Sequence, residues 1–138
     1  MHTNQIVSPK SIIFFAALLS LVASAIGQPT PPEKSRGVSR TDLSSIDLGE
    51  ELEGFRGRTL RQHRTSIDPG GAIALHDHVD RPEIIFVFAG RLTDHQPSGS
   101  KEYVAGQAYA VGKNTRHWLE NTGAEPAVFI ATSVIKKP

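Results

Sequence analysis

The stretch Gly70–Gly90, GGAIALHDHVDRPEIIFVFAG, carries two histidines two residues apart, a turn cluster, and then a run of β-branched and aromatic residues. Side chains of an extended chain alternate faces, so His76 and His78 point one way and Asp77 the other. Two imidazoles on one face form a clamp for a cation. A short turn through Asp80, Arg81 and Pro82 brings Glu83 back toward the same face and adds a carboxylate, a usual companion of imidazole around a first-row transition metal. A fourth ligand is still wanted, and His117, in NTRHWLEN, is the only other histidine in comparable strand-like surroundings.

This spacing resembles that of the cupins. Their first motif is written G-x5-H-x-H-x(3 or 4)-E-x6-G, and Gly70, His76, His78, Glu83 and Gly90 fill it without adjustment. Their second is G-x5-P-x-G-x2-H-x3-N, for which the chain offers Gly106, His117 and Asn121, with Gly112 in place of proline and Asn114 in place of glycine. Asn tolerates a left-handed backbone better than most residues, whereas Gly112 gives up a fixed φ and loosens the turn. Neither change touches a ligand. The resemblance covers roughly Ile46 to Ile135. It implies an all-β fold, a cupin-like double-stranded β-helix or jelly-roll barrel, with one divalent transition metal (Fe, Mn, Zn, Cu, Ni or Co) held inside by His76, His78, Glu83 and His117. Taken alone, an H-x-H pair is more often two exposed or mutually satisfied histidines than a metal clamp. It is Glu83 and His117 at family spacing that tip the reading to ligation.

Residues 1–27 begin with a segment whose only formal side-chain charge is Lys10, run through SIIFFAALLSLVASAIG and end in small residues. This is the pattern of a signal peptide, with cleavage sites of small-x-small type at Ala23-Ser24-Ala25 or Ala25-Ile26-Gly27. The apolar run from Ile12 to Ile26 falls short of the ~20 residues a spanning helix needs. Cleavage, and hence a periplasmic or secreted protein without a stable membrane anchor, is the expectation. Residues 28–42, QPTPPEKSRGVSRTD, mix proline, charge and small polar residues and read as a flexible tether. Residues 43–138 form the barrel domain.

Removing the leader leaves 111 of the 138 residues, enough for one domain. The chain has no cysteine, which excludes disulfide stapling and thiolate chemistry. Its 15 Lys and Arg against 14 Asp and Glu reduce to formal neutrality once Lys10 is removed, and no basic stripe interleaved with aromatics suggests a nucleic-acid partner. No amphipathic helical period, P-loop or Gly-x-Ser-x-Gly element follows the leader. Short strands bounded by Gly and Pro turns indicate a sandwich or barrel.

Strand phase predicts what each face carries. Thr59–Ile67 reads as a strand ended by the turn cluster Asp68-Pro69-Gly70-Gly71, and His63 within it as a partly exposed sheet residue. Asp94 and His95 read as solvent-facing near a hairpin tip at Gln96–Ser100. Arg81 reads as a solvated turn residue, with orientation of an anionic ligand as the alternative. Ala74, Ile85, Val87, Leu119 and Asn121 should face the interior with the histidines and Glu83, giving a metal in an aliphatic cup suited to a small organic molecule. Trp118 should pack on the outside of the sheet. Ile84, Phe86 and Phe88 fall in the outward phase, and such a stripe calls for a homodimer. The leading function is a metal-dependent enzyme of oxygenase or lyase type, with Glu83 as metal ligand and catalytic base. The alternative is a non-catalytic domain that uses the metal to bind or sense a small ligand.

Overall fold

A computed structural model describes residues 29–137, so the expected signal peptide and Pro138 lie outside the described residues. The strands are β1 (Arg36–Asp47), β2 (Arg58–Asp77), β3 (Glu83–Ala89), β4 (Arg91–Gln96), β5 (Gly99–Val104), β6 (Ala108–Val111), β7 (Arg116–Glu120) and β8 (Ala127–Lys136); one helical turn, α1 (Leu48–Glu51), follows β1. Every pairing is antiparallel, in the order β5-β4-β7-β2-β8-β3-β6, with β1 added on β2. The all-β, nearly closed barrel expected from the sequence is what the chain forms.

The central strand, β2, departs from expectation. Asp68-Pro69-Gly70-Gly71 does not end the strand; the chain bends there and continues, leaving β8 (paired through Ile67) and taking up β7 (paired from Ala72). Glycine is what allows the bend. Gly70 sits at φ 71°, and a Cβ on Gly71 would lie 2.9 Å from the carbonyl oxygens of Arg36 and Asp68. Asn114, standing where the motif has glycine, takes the left-handed conformation expected of it, at φ 65°.

The tether also ends earlier than expected. Arg36–Asp42 belong to β1, paired residue by residue with β2, and Ser35 Oγ accepts a hydrogen bond of 2.9 Å from the Ala74 amide. The prolines that suggested a flexible segment stop at Pro32, short of a charged and polar strand whose stability comes from its ladder with β2, not from burial: its side chains are almost all exposed.

Inside the barrel, polarity changes along the strands. Ile67, Phe129 and Val87 belong to an apolar core with Ile85, Leu92, Val111, Leu119, Ala127 and Ala131. Moving back along β2 and β3, and forward along β8, the inward positions become His63, Ala131 and Ile85 in one cross-sheet row and Arg61, Ser133 and Glu83 in the next. The core thus fills one end and leaves the other for polar groups. Truncating Phe129, which is 2% exposed, should cost about 3–5 kcal/mol. Asn121 closes the apolar end: its amide nitrogen donates to the carbonyls of Ile67 (2.9 Å) and Glu125 (2.8 Å), while its oxygen accepts from the Gly123 amide at 2.9 Å.

Candidate metal centre

His76 at the end of β2, His78 just beyond it and His117 on β7 converge. His117 Nε2 lies 3.1 Å from His76 Nε2 and 3.0 Å from His78 Nε2. The β2–β7 register pairs His76 directly with His117, and the period of two brings His78 to the same face.

The remaining ring nitrogens explain the orientation. His76 Nδ1 meets the Ala74 carbonyl at 2.9 Å, His78 Nδ1 the Arg81 carbonyl at 2.9 Å, and His117 Nδ1 the Asp94 carboxylate at 2.8 Å. A carbonyl or carboxylate oxygen only accepts, so each Nδ1 carries the proton and each Nε2 presents a lone pair to the centre. Lone pairs 3.0 Å apart repel unless a cation stands between them. A proton is a poor candidate at neutral pH, because burial pushes His76 down to about 4, against the raising effect of its Ala74 hydrogen bond, and pushes His78 down as well. A divalent metal fits: two nitrogens bound at ~2.1 Å and at right angles to each other stand about 3.0 Å apart. These three histidines form a group whose ligand atoms all lie within 4.8 Å of one another.

Glu83 is not part of that group. It is buried at the head of β3, where its Oε2 accepts from Ser133 Oγ at 3.1 Å and lies 3.5 Å from an Arg81 guanidinium nitrogen. The expected four-residue set therefore stands as three converging imidazoles with a carboxylate beside them. Arg81 bridges the two parts: its other terminal nitrogen is 3.2 Å from His78 Nε2. It is not the solvated turn residue that the local sequence suggested, because the turn folds its side chain back over the site.

Three further readings change. Asp94 and His95 are not solvent-facing, since β4 runs to Gln96 and leaves Asp94 2% and His95 7% exposed. Asp94 fixes the His117 ring, whereas His95 lies against the other face, stacked on Trp118 at 3.7 Å and hydrogen-bonded to Ser100 and Glu120. The signal for Asp94 was its phase, two residues from the inward Leu92. Trp118 packs outside the barrel as expected, in a groove that Pro29, Pro31 and Leu75 also line. His63 is fully buried instead of partly exposed, because it shares the inward face of β2 with Thr65 and Ile67.

The family model for the Cupin domain matches residues 63–133, just over half of the chain, and the chain belongs to that family. Many solved structures share the fold. A predicted oxalate decarboxylase from Thermotoga maritima is 23% identical, with a TM-score of 0.59 over 71% of this chain and 80% of that one. The polyketide cyclase RemF from Streptomyces resistomycificus is 17% identical, with a TM-score of 0.60 over 75% of this chain and 69% of its own. A cupin domain from Bordetella pertussis is 19% identical, with a TM-score of 0.53 over 75% and 99%. Among curated proteins, none matches the sequence.

Proposed function

We propose that the protein is an exported metal-dependent enzyme of oxygenase or lyase type, acting on a small organic molecule inside the barrel. The observation that carries this reading is the convergence of three Nε2 lone pairs, each ring held by an acceptor at its Nδ1. When bound, a divalent transition metal would supply Lewis acidity toward an oxygen donor of the substrate. His76, His78 and His117 hold it, while Asp94 keeps His117 in the ligating tautomer. Glu83 is buried next to the cluster and retains a second carboxylate oxygen beyond the one engaged by Ser133. In this reading it either completes the ligand set or takes a proton from the substrate, with Arg81 compensating its charge.

The family includes members with several chemistries, and the similar structures named oxalate decarboxylase and polyketide cyclase differ in reaction, so the fold alone does not choose one. The test is Glu83→Gln, which keeps size and one oxygen donor. An enzyme loses turnover on phenolic, dicarbonyl or organic-acid substrates in this variant while remaining folded and metal-bound. The second reading, a non-catalytic binding domain, is favoured by the engagement of Glu83 with Ser133 and Arg81. It predicts no turnover in the wild type but a rise in melting temperature with a ligand such as azide. Export belongs to the same proposal and rests on the composition of residues 1–27; intact mass of exported protein should begin near Ile26 or Gln28, and retention of the apolar run would contradict it.

A further inference from the structure

Among the described residues, five buried side-chain polar atoms lack a hydrogen-bond partner, and four of them belong to Arg61, His63 and Thr65: Arg61 Nε, both ring nitrogens of His63, and Thr65 Oγ1. These residues alternate along β2 and share its inward face. The fifth atom, the Tyr109 hydroxyl, lies in the cross-sheet row that starts at His63 and passes through Ala131 and Ile85. Leaving such groups without a partner costs about 1–3 kcal/mol each, and His63 and Thr65 are both fully buried. An apolar pair of the same shape would make a more stable barrel, so the concentration of these groups on one strand face calls for a ligand.

Their chemistry limits what that ligand is. Arg61 Nε–H only donates, a neutral histidine donates through one nitrogen, and Thr65 and Tyr109 hydroxyls can both donate. Arg40 of β1 stands opposite Thr65 and so shares its face. Arg61 and Arg81 both lie within electrostatic reach of Arg40, a solvent-exposed residue of β1: partial desolvation first, then these two charges, lower its pKa. The carboxylates in range are Glu83, already engaged by Ser133 and Arg81, and Asp42. Ala131 and Ser133, the β8 neighbours of His63 and Arg61 in the sheet, are small. Several donors and an excess of guanidinium charge disfavour a metal cation and favour oxygen atoms bearing negative charge.

We propose that Arg61, His63 and Thr65, with Arg40 beside them, form an oxyanion-binding subsite on the β2 face of the barrel, separate from the three-histidine cluster, which takes a carboxylate or phosphate group of the bound molecule. The subsite rests on the metal-centred reading only in assigning both groups to one ligand; anion binding itself requires no metal.

The test titrates malonate and, separately, inorganic phosphate into the protein with isotope-labelled histidine, following the His63 ring signals in metal-free and metal-loaded samples. A saturable shift of the His63 signals is expected from one of the two anions, and which one identifies carboxylate or phosphate as the natural group. Thr65→Val and His63→Phe should each weaken that binding at least about tenfold, the loss of a hydrogen bond to a charged group. His63→Phe should also raise the melting temperature of the metal-free protein, since the orphaned nitrogens disappear. His76→Ala should leave anion binding within about twofold, so a protein that binds no metal but still shifts His63 keeps the subsite and loses the metal reading. Metal binding without any His63 response to either anion, or unchanged anion affinity in folded Thr65→Val protein, would overturn the subsite and leave buried water as the partner of these groups.

Discussion

His117 Nδ1 and an Asp94 carboxylate oxygen are 2.8 Å apart, with the two side chains 0% and 1% exposed. A hydrogen bond of this kind in a dry setting sets both the tautomer and the rotation of the ring, and hence where the Nε2 lone pair points.

Removing the acceptor should therefore weaken metal binding without unfolding the barrel. Asp94→Leu is expected to lower metal affinity about 10–100-fold, measured by competition with a chelator of known affinity. A folded variant with unchanged affinity would show that Asp94 has no part in the site.

The buried histidines predict how the metal-free protein responds to acid. Burial, aided by the charge of Arg40, pushes His63 down to about 4, and burial pushes His76 down to a similar value. The unfolded chain takes up these protons near pH 6.5, so between about 6.5 and 4 it binds more protons than the folded chain. Stability should be fully present above this window and fall as pH drops through it. His63→Phe should reduce the slope by about one proton. Denaturant melts at half-unit pH steps measure this, and a wild-type curve flat across the window would contradict the buried, neutral His63.

Much of this was legible in the sequence, for identifiable reasons. The inward positions of His76, His78, Ile85, Val87, Leu119 and Asn121 follow from a period of two, but a bulge between Ile73 and His76 breaks that period in β2, so that Ile73, not the expected Ala74, packs against the core. The burial of His63 was missed because the inward positions of this part of β2, Arg61, His63 and Thr65, are polar and so give the strand no apolar alternation to mark its inner face. Asp94 was missed because nearness to the hairpin tip was read as exposure, whereas β7 pairs with β4 up to His95, and Arg81 because no local pattern shows which way a turn side chain folds back. Nor did the spacing show that Glu83 would be held by Ser133, a contact between residues 50 apart in sequence.

The outward stripe on β3 predicts association. Ile84, Phe86 and Phe88 are 57%, 40% and 63% exposed in the single chain, on a strand whose other face is buried. We expect a homodimer that covers this stripe, seen as a doubled mass by light scattering at micromolar concentration and reduced to the monomer by Phe86→Glu. A monomeric wild type would contradict it.

The central claim, that the three imidazoles hold a divalent metal, is tested most directly by elemental analysis. The protein would be loaded in turn with Mn, Fe, Co, Ni, Cu and Zn and then freed of loose ions. The account predicts near-stoichiometric retention of at least one of these metals per chain, lost in His76→Ala and in His117→Ala proteins that remain folded by circular dichroism. Retention of none of the six metals by the wild type, or full retention in both variants, would contradict it.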